Sequence, residues 1–129
     1  MNKEIVKLTL PAKKEYLLPI RLFISGIATR AGFSLDQIEN TKLAAAEACS
    51  CILTKVQSEE IEIRAEIGED IQIYAAPIGH LALRTINDED AMTLSLSRFM
   101  LEGLAQDVSI EEDTAGLLTK IEFCMKKQG

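Results

Sequence analysis

The sequence predicts an α+β fold, a two-layer sandwich with helices on one face of a mixed, mostly antiparallel sheet. Three observations carry that expectation. Glu60 to Ile67 alternates strictly, with Ile61, Ile63, Ala65 and Ile67 against Glu62, Arg64 and Glu66, a strand with one wet face. Ser34 to Val56 carries Ile38, Ala45, Cys49, Ile52 and Val56 on one helical face. The order of such patterns is β-α-α-β-β-loop-α-β-β, with like elements in runs rather than in strict alternation.

The elements follow in order. Glu4 to Leu10 alternates Ile5, Lys7 and Thr9 with Val6, Leu8 and Leu10, a strand that Pro11 ends. Lys14 to Ala31 has Leu17, Ile20, Ile24, Ile27 and Ala28 at helical spacing; Pro19 fits only a first turn, so this helix starts late or kinks. Gly32 is placed as its C′ residue. Ser34 and Gln37 have the spacing of a capping box for the central helix, with Asp36 and Lys55 suiting the two ends of its dipole. Gly68 to Asp70 turns the Glu60–Ile67 strand into Ile71–Ala76 as a hairpin. Pro77 to Asp90 reads as a loop, with a loop holding one helical turn as the alternative, Met92 to Leu104 as a helix, and Val108–Glu112 and Leu117–Met125 as a closing strand pair. The tail from Lys126 to Gly129 is expected to fray.

The chain has 129 residues, enough for one domain spanning 1–129 with a real core. A net charge of −6 argues against nucleic acid or an anionic membrane surface as partner. No apolar run approaches a membrane span, and the start MNKEIVKLTL has no signal-peptide core, so the expected compartment is the cytoplasm. Cys49, Cys51 and Cys124 are an odd set; the first two point about 200° apart on a helix, so they read as small buried hydrophobes rather than metal ligands. His80, the only histidine, offers no case for a Ser-His-Asp or Cys-His scheme.

Glu47 stands out on the central helix. Leu43 and Cys51 lie four residues to either side, so no cation on its own helix pairs with it. It is either a solvated surface group or a carboxylate facing a cleft, where desolvation suits a general base. Asn40, Glu47 and Thr54, seven residues apart, are placed to line such a cleft together.

The stretch LPAKKEYLLPIRLFISGIATRAGFSLDQIENTKLAAAEAC, Leu10 to Cys49, resembles the anti-sigma-factor serine kinases of the GHKL ATPase superfamily, and the likeness extends from about Lys7 to Phe123. The proline after the first strand, the R-L-x-x-S-G-x-A center and the string K-x-A-x-x-E-A-C carry it. In that family E-A-x-x-N on the central helix supplies a general base and an Mg²⁺ ligand. This sequence keeps Glu47 and has Cys51 in place of the Asn, a thiol where a hard cation wants oxygen. A D-x-G motif reads adenine; the matching residues are Pro77, Ile78 and Gly79, and proline has no hydrogen-bonding side chain. A G-x-G run at a helix start cradles phosphates; the match is Ser95, Leu96 and Ser97. The intervening lid is short and acidic, with Asp88, Glu89 and Asp90.

The resemblance therefore implies a regulatory protein-binding domain in a partner-switching circuit whose nucleotide site, at Glu47, Cys51, Pro77, Gly79, Ser95 and Ser97, has been lost, so that neither ATP nor Mg²⁺ is expected. The implied partners are a sigma factor or a STAS-domain antagonist, and a second copy of the chain. Arg21, Arg30 and Asp88 to Asp90 are the charges best placed for docking. The alternative is an active ATP-dependent serine kinase with Glu47 as base. A further alternative is a pocket turned over to another small molecule.

Overall fold

The computed structural model describes residues 3–127, so the end of the expected frayed tail, residues 128–129, and the first two residues of the N-terminal reading lie outside it. The sheet order is β1 (Glu4–Pro11), β3 (Glu60–Ile67), β4 (Ile71–Ile78), β7 (Leu118–Met125) and β6 (Gln106–Glu112). Every ladder between these neighbours is antiparallel. Helices α1 (Leu17–Arg30), α2 (Leu35–Lys55) and α3 (Asp88–Leu104) complete the α+β sandwich; α2 packs against both α1 and α3. Two-residue strands β2 (Val56–Gln57) and β5 (Ala82–Leu83) form a separate ribbon beyond the end of α2.

The local chemistry explains the helix ends. The Ser34 hydroxyl accepts from the Gln37 amide and the Gln37 side chain accepts from the Ser34 amide, the reciprocal capping box. A short 3-10 turn, Lys14–Tyr16, precedes α1, so Pro19 falls in the first turn where its missing N–H costs nothing. The Phe33 amide donates to Ala28 O and the Gly32 amide to Thr29 O, a Schellman closure that needs Gly32 at φ +79°.

The alternating isoleucines of β3 and β4 face inward, where Ile61, Ile63, Ile71 and Ile73 join Ile121 and Phe123 of β7 in the core. Ile20 and Ile24 of α1 and Cys49, Ile52 and Val56 at the end of α2 share that core. Ala44, Ala45, Ala46 and Ala48 are all buried; small side chains let α2 pack closely with neighbours on several sides. On the outer face Arg64 lies 4.2 Å from the Tyr74 ring centroid, and Tyr74 donates to Glu66 at 3.1 Å. Among the described residues no helix is long and apolar enough to cross a membrane.

Three boundaries depart from the sequence reading. The segment read as a loop from Pro77 to Asp90 begins as strand, because β4 continues through Ile78. Proline is tolerated there because the β7 ladder stops at Ala75–Ile121, two residues earlier. At its other end α3 starts at Asp88 rather than near Met92, since Asn87 caps it: the Asn87 side chain accepts from the Asp90 amide and Asp90 accepts from the Asn87 amide. Finally, β6 begins at Gln106, two residues before the expected Val108, and reaches Ser109 through a bulge in which Asp107 has φ 55°. The tail expected to fray from Lys126 is held at its start, where Lys126 pairs with Asp70 at 3.3 Å and the Lys127 amide donates to it at 2.9 Å.

Candidate functional site

The residues matching the kinase motifs come from α2, the end of β4 and the middle of α3. Glu47 is half-buried on α2, and among the described residues it makes no hydrogen bond or ion pair. One turn on, Cys51 is buried. Burial first, and then the Glu47 carboxylate, push its thiol up to about 11, with the Arg98 guanidinium opposing both. Arg98, on α3 and bound to Glu102 at 3.2 Å, is thus the cation facing this part of α2. The sequence reading passed over Arg98, because nothing local to it announces the α2–α3 packing.

Ser97 is buried on the inner side of α3, and its hydroxyl donates to Ser50 of α2 at 3.5 Å. Ser95 is exposed. The two are the eighth and tenth residues of α3, so they do not stand at the helix start where the kinase motif belongs. Amides in a helix interior donate to carbonyls four residues back and have nothing left for a phosphate. At the actual start of α3, Asn87 occupies the amides of Asp90 and Ala91. The residues that follow Asn87, Asp88 and Glu89, bring carboxylates to the place where an anion would sit. Asp90, taken from sequence as a docking charge, is half-buried and serves as part of the cap.

Pro77 is buried and faces the helix layer. Gly79 follows β4 at φ +100°, a region that favours glycine, and a Cβ there would lie 2.9 Å from Glu59 Oε1. The same Glu59 oxygen accepts from the His80 amide at 3.1 Å. Gly79 therefore has a backbone reason to be glycine, whatever ligand the position once served. Gly79→Ala is expected to lower stability by about 1–3 kcal/mol in denaturant unfolding, the usual cost of a strained φ. An unchanged midpoint would show that the turn rearranges freely.

Asn40, Glu47 and Thr54 do not line one cleft, contrary to the expectation from their spacing. Asn40 is exposed beside Arg21, Glu39, Lys42 and Leu43 at a cavity of about 280 Å³. Thr54 is buried with its hydroxyl unpartnered, at a cavity of about 560 Å³ shared with Lys13, Lys14, Arg84 and Asp90. Neither cavity takes a wall from Glu47, Cys51, Pro77, Gly79, Ser95 or Ser97. The segment leading from β4 to α3 is tied down over the end of α2: Ala82 and Leu83 pair with Gln57 and Val56, while the Arg84 amide and Nε donate to Lys55 O and Val56 O.

No family model matches the chain. Comparison with curated proteins finds the serine-protein kinase RsbW of Halalkalibacterium halodurans at 30% identity over 142 aligned positions, covering 97% of this chain and 86% of the relative. The chain belongs to the RsbW family. RsbW of Staphylococcus epidermidis is 29% identical across 98% of the chain and 91% of its own length. RsbW of Bacillus subtilis strain 168 is 37% identical across 60% of the chain and 52% of its own. The resemblance read from Leu10 to Cys49 is thereby matched by whole-chain similarity to RsbW proteins, with the sandwich expected of them.

Proposed function

We propose that this RsbW-family chain is a protein-binding regulator of the anti-sigma type, acting in the cytoplasm on a sigma factor or its STAS-domain antagonist, and that it works without Mg-ATP. The relatives carry the name serine-protein kinase. The observation that carries the reading is the position of Ser95 and Ser97 in the middle of α3, where amides already donate to helix carbonyls and are not free for a triphosphate. The donor set at the other positions does not fit the group either: Cys51 is a buried protonated thiol and Pro77 offers no polar side-chain atom. An active kinase would use Glu47, whose half-buried carboxylate is without a partner among the described residues, and that observation keeps the second reading alive.

The exposed charges fit docking: Arg21 is exposed at the cavity of about 280 Å³, and Arg30 is exposed although paired with Glu4. A second copy, implied by the resemblance, has an apolar surface to use in Leu18 and Leu22, one turn apart on α1.

The test is calorimetric titration with Mg-ATP, alongside thermal melting. A working site at a hundredfold excess of nucleotide over its Kd adds about 2.7 kcal/mol, several degrees in Tm for a domain of this size. The expected result is no heat and no shift at millimolar Mg-ATP. A shift of several degrees abolished by EDTA, with serine phosphorylation that Glu47→Ala removes, would establish the kinase instead.

A further inference from the structure

The outer face of α3 carries an apolar stripe with no cover. Met92 is 66%, Leu96 57% and Phe99 76% exposed, and steps of four and three residues put them in one line along the helix. Gly103, four residues beyond Phe99, extends that line as a flat floor, with nothing within 4 Å of where its Cβ would be. Ser97 and Leu101, the two buried residues of α3, lie on the opposite side. The stripe therefore does not contribute to the core. Three large apolar side chains in a row on a charged chain mark a surface kept for contact.

Charge says what that contact is. Asp88 and Glu89, four and three residues before Met92, stand at the head of the same stripe, and neither is in an ion pair among the described residues. The last turn of α3 has no basic residue, and Arg98 is already bound to Glu102. A second copy laid antiparallel would set Asp88 and Glu89 against Glu102, and laid parallel would set acid against acid. Each copy also brings a net charge of −6. An anionic lipid surface would meet the same repulsion.

We propose that this face of α3 docks an amphipathic helix of a protein partner, its apolar ridge over Met92, Leu96 and Phe99 and its basic end against Asp88 and Glu89. Phe99 is the anchor, and the carboxylates set polarity and speed of encounter. The inference rests on the protein-binding reading above and names where one partner sits.

The test uses the full chain and two labelled model peptides of the 17-residue length of α3, both with leucines at helical spacing, one bordered by lysine and one by glutamate. Fluorescence anisotropy is expected to show about tenfold tighter binding of the lysine-bordered peptide, weakening as salt rises. Phe99→Asp or Leu96→Asp should abolish the binding with Tm unchanged, and Asp88→Lys with Glu89→Lys should reverse the preference. Equal binding of both peptides, or binding indifferent to Phe99→Asp, overturns the proposal. So does a dimer in sedimentation, or capture on anionic vesicles, that Phe99→Asp dissolves. Mg-ATP binding in calorimetry would defeat the reading beneath it without changing the peptide preference, so the two failures are distinguishable.

Discussion

At pH 8 the native protein should resist thiol reagents, while the same chain in guanidinium gives up all three cysteines at once. Cys49 and Cys51 are buried on α2, and both thiols are pushed up, Cys49 by burial and by Cys51, Cys51 to about 11 by burial and then by Glu47. The thiolate is the nucleophile. Its fraction in Cys51 at pH 8 falls on the order of 100-fold below that of a free cysteine, before any steric protection is counted. Cys124 is also raised by burial but lines two surface cavities, so it should be the first and slow site of labelling. Rapid native labelling of Cys49 or Cys51, read by mass spectrometry, would contradict the packing of α2.

The same shifts fix the sign of the alkaline stability curve. Below the unfolded thiol value of 9.0 both states hold the proton and these groups give no pH dependence. Above it the unfolded chain loses protons first, and stability falls by about 1.4 kcal/mol per pH unit for each such thiol until the folded group titrates. Tyr74, raised by burial and its bond to Glu66, and Lys120 and Lys126, raised by carboxylate partners, act in the same direction. Asp70 acts at the other end. Held low first by the Lys127 amide, it contributes stability that is lost as pH falls below the ordinary carboxylate range. The Cys49→Ala, Cys51→Ala double variant should flatten the decline between pH 9 and 11, a range bounded by the unfolded and folded values of the Cys51 thiol.

What was legible in the sequence was what local chemistry decides. Ser34 with Gln37, Pro19 and Gly32 each announce a boundary through their own backbone needs, and all three are where they were read. The isoleucines of Glu60–Ile67 fix a face because alternation leaves no second choice of register. The start of α3 was missed because its cap uses Asp90 at the third position, where the usual signal is Glu or Gln, inside a stretch already broken by Pro77 and Gly79. The β2–β5 ribbon is too short to have a period at all.

The site was legible as residues and not as a place. Glu47, Cys51, Ser95 and Ser97 could be matched one by one, but their surroundings depend on how α3 lies on α2. That packing brings Ser97 to Ser50 and Arg98 to Cys51, and carries Thr54 and Asn40 to different cavities. A motif tells which atoms are available; only the added turns at the head of α3 tell that two of its amides are already used.

Leu101→Ala should be the most damaging change on α3, at about 2–5 kcal/mol, because Leu101 is the one large side chain that this helix buries completely. Its other buried residue is the small Ser97, Leu94 and Leu104 are half-buried, and Met92, Leu96 and Phe99 face outward. A helix that buries so little side chain opens locally before the sheet does. Hydrogen exchange should accordingly quicken first across Asp88–Leu104 and reach β3 and β4 only with global unfolding. Phe99→Ala, made on the exposed side of the same helix, should leave the exchange of α3 nearly unchanged, since no buried contact is lost. If Leu101→Ala instead accelerated all elements alike, α3 would be part of the cooperative core. The lid segment folded into its first turns would then be fixed as firmly as the strands.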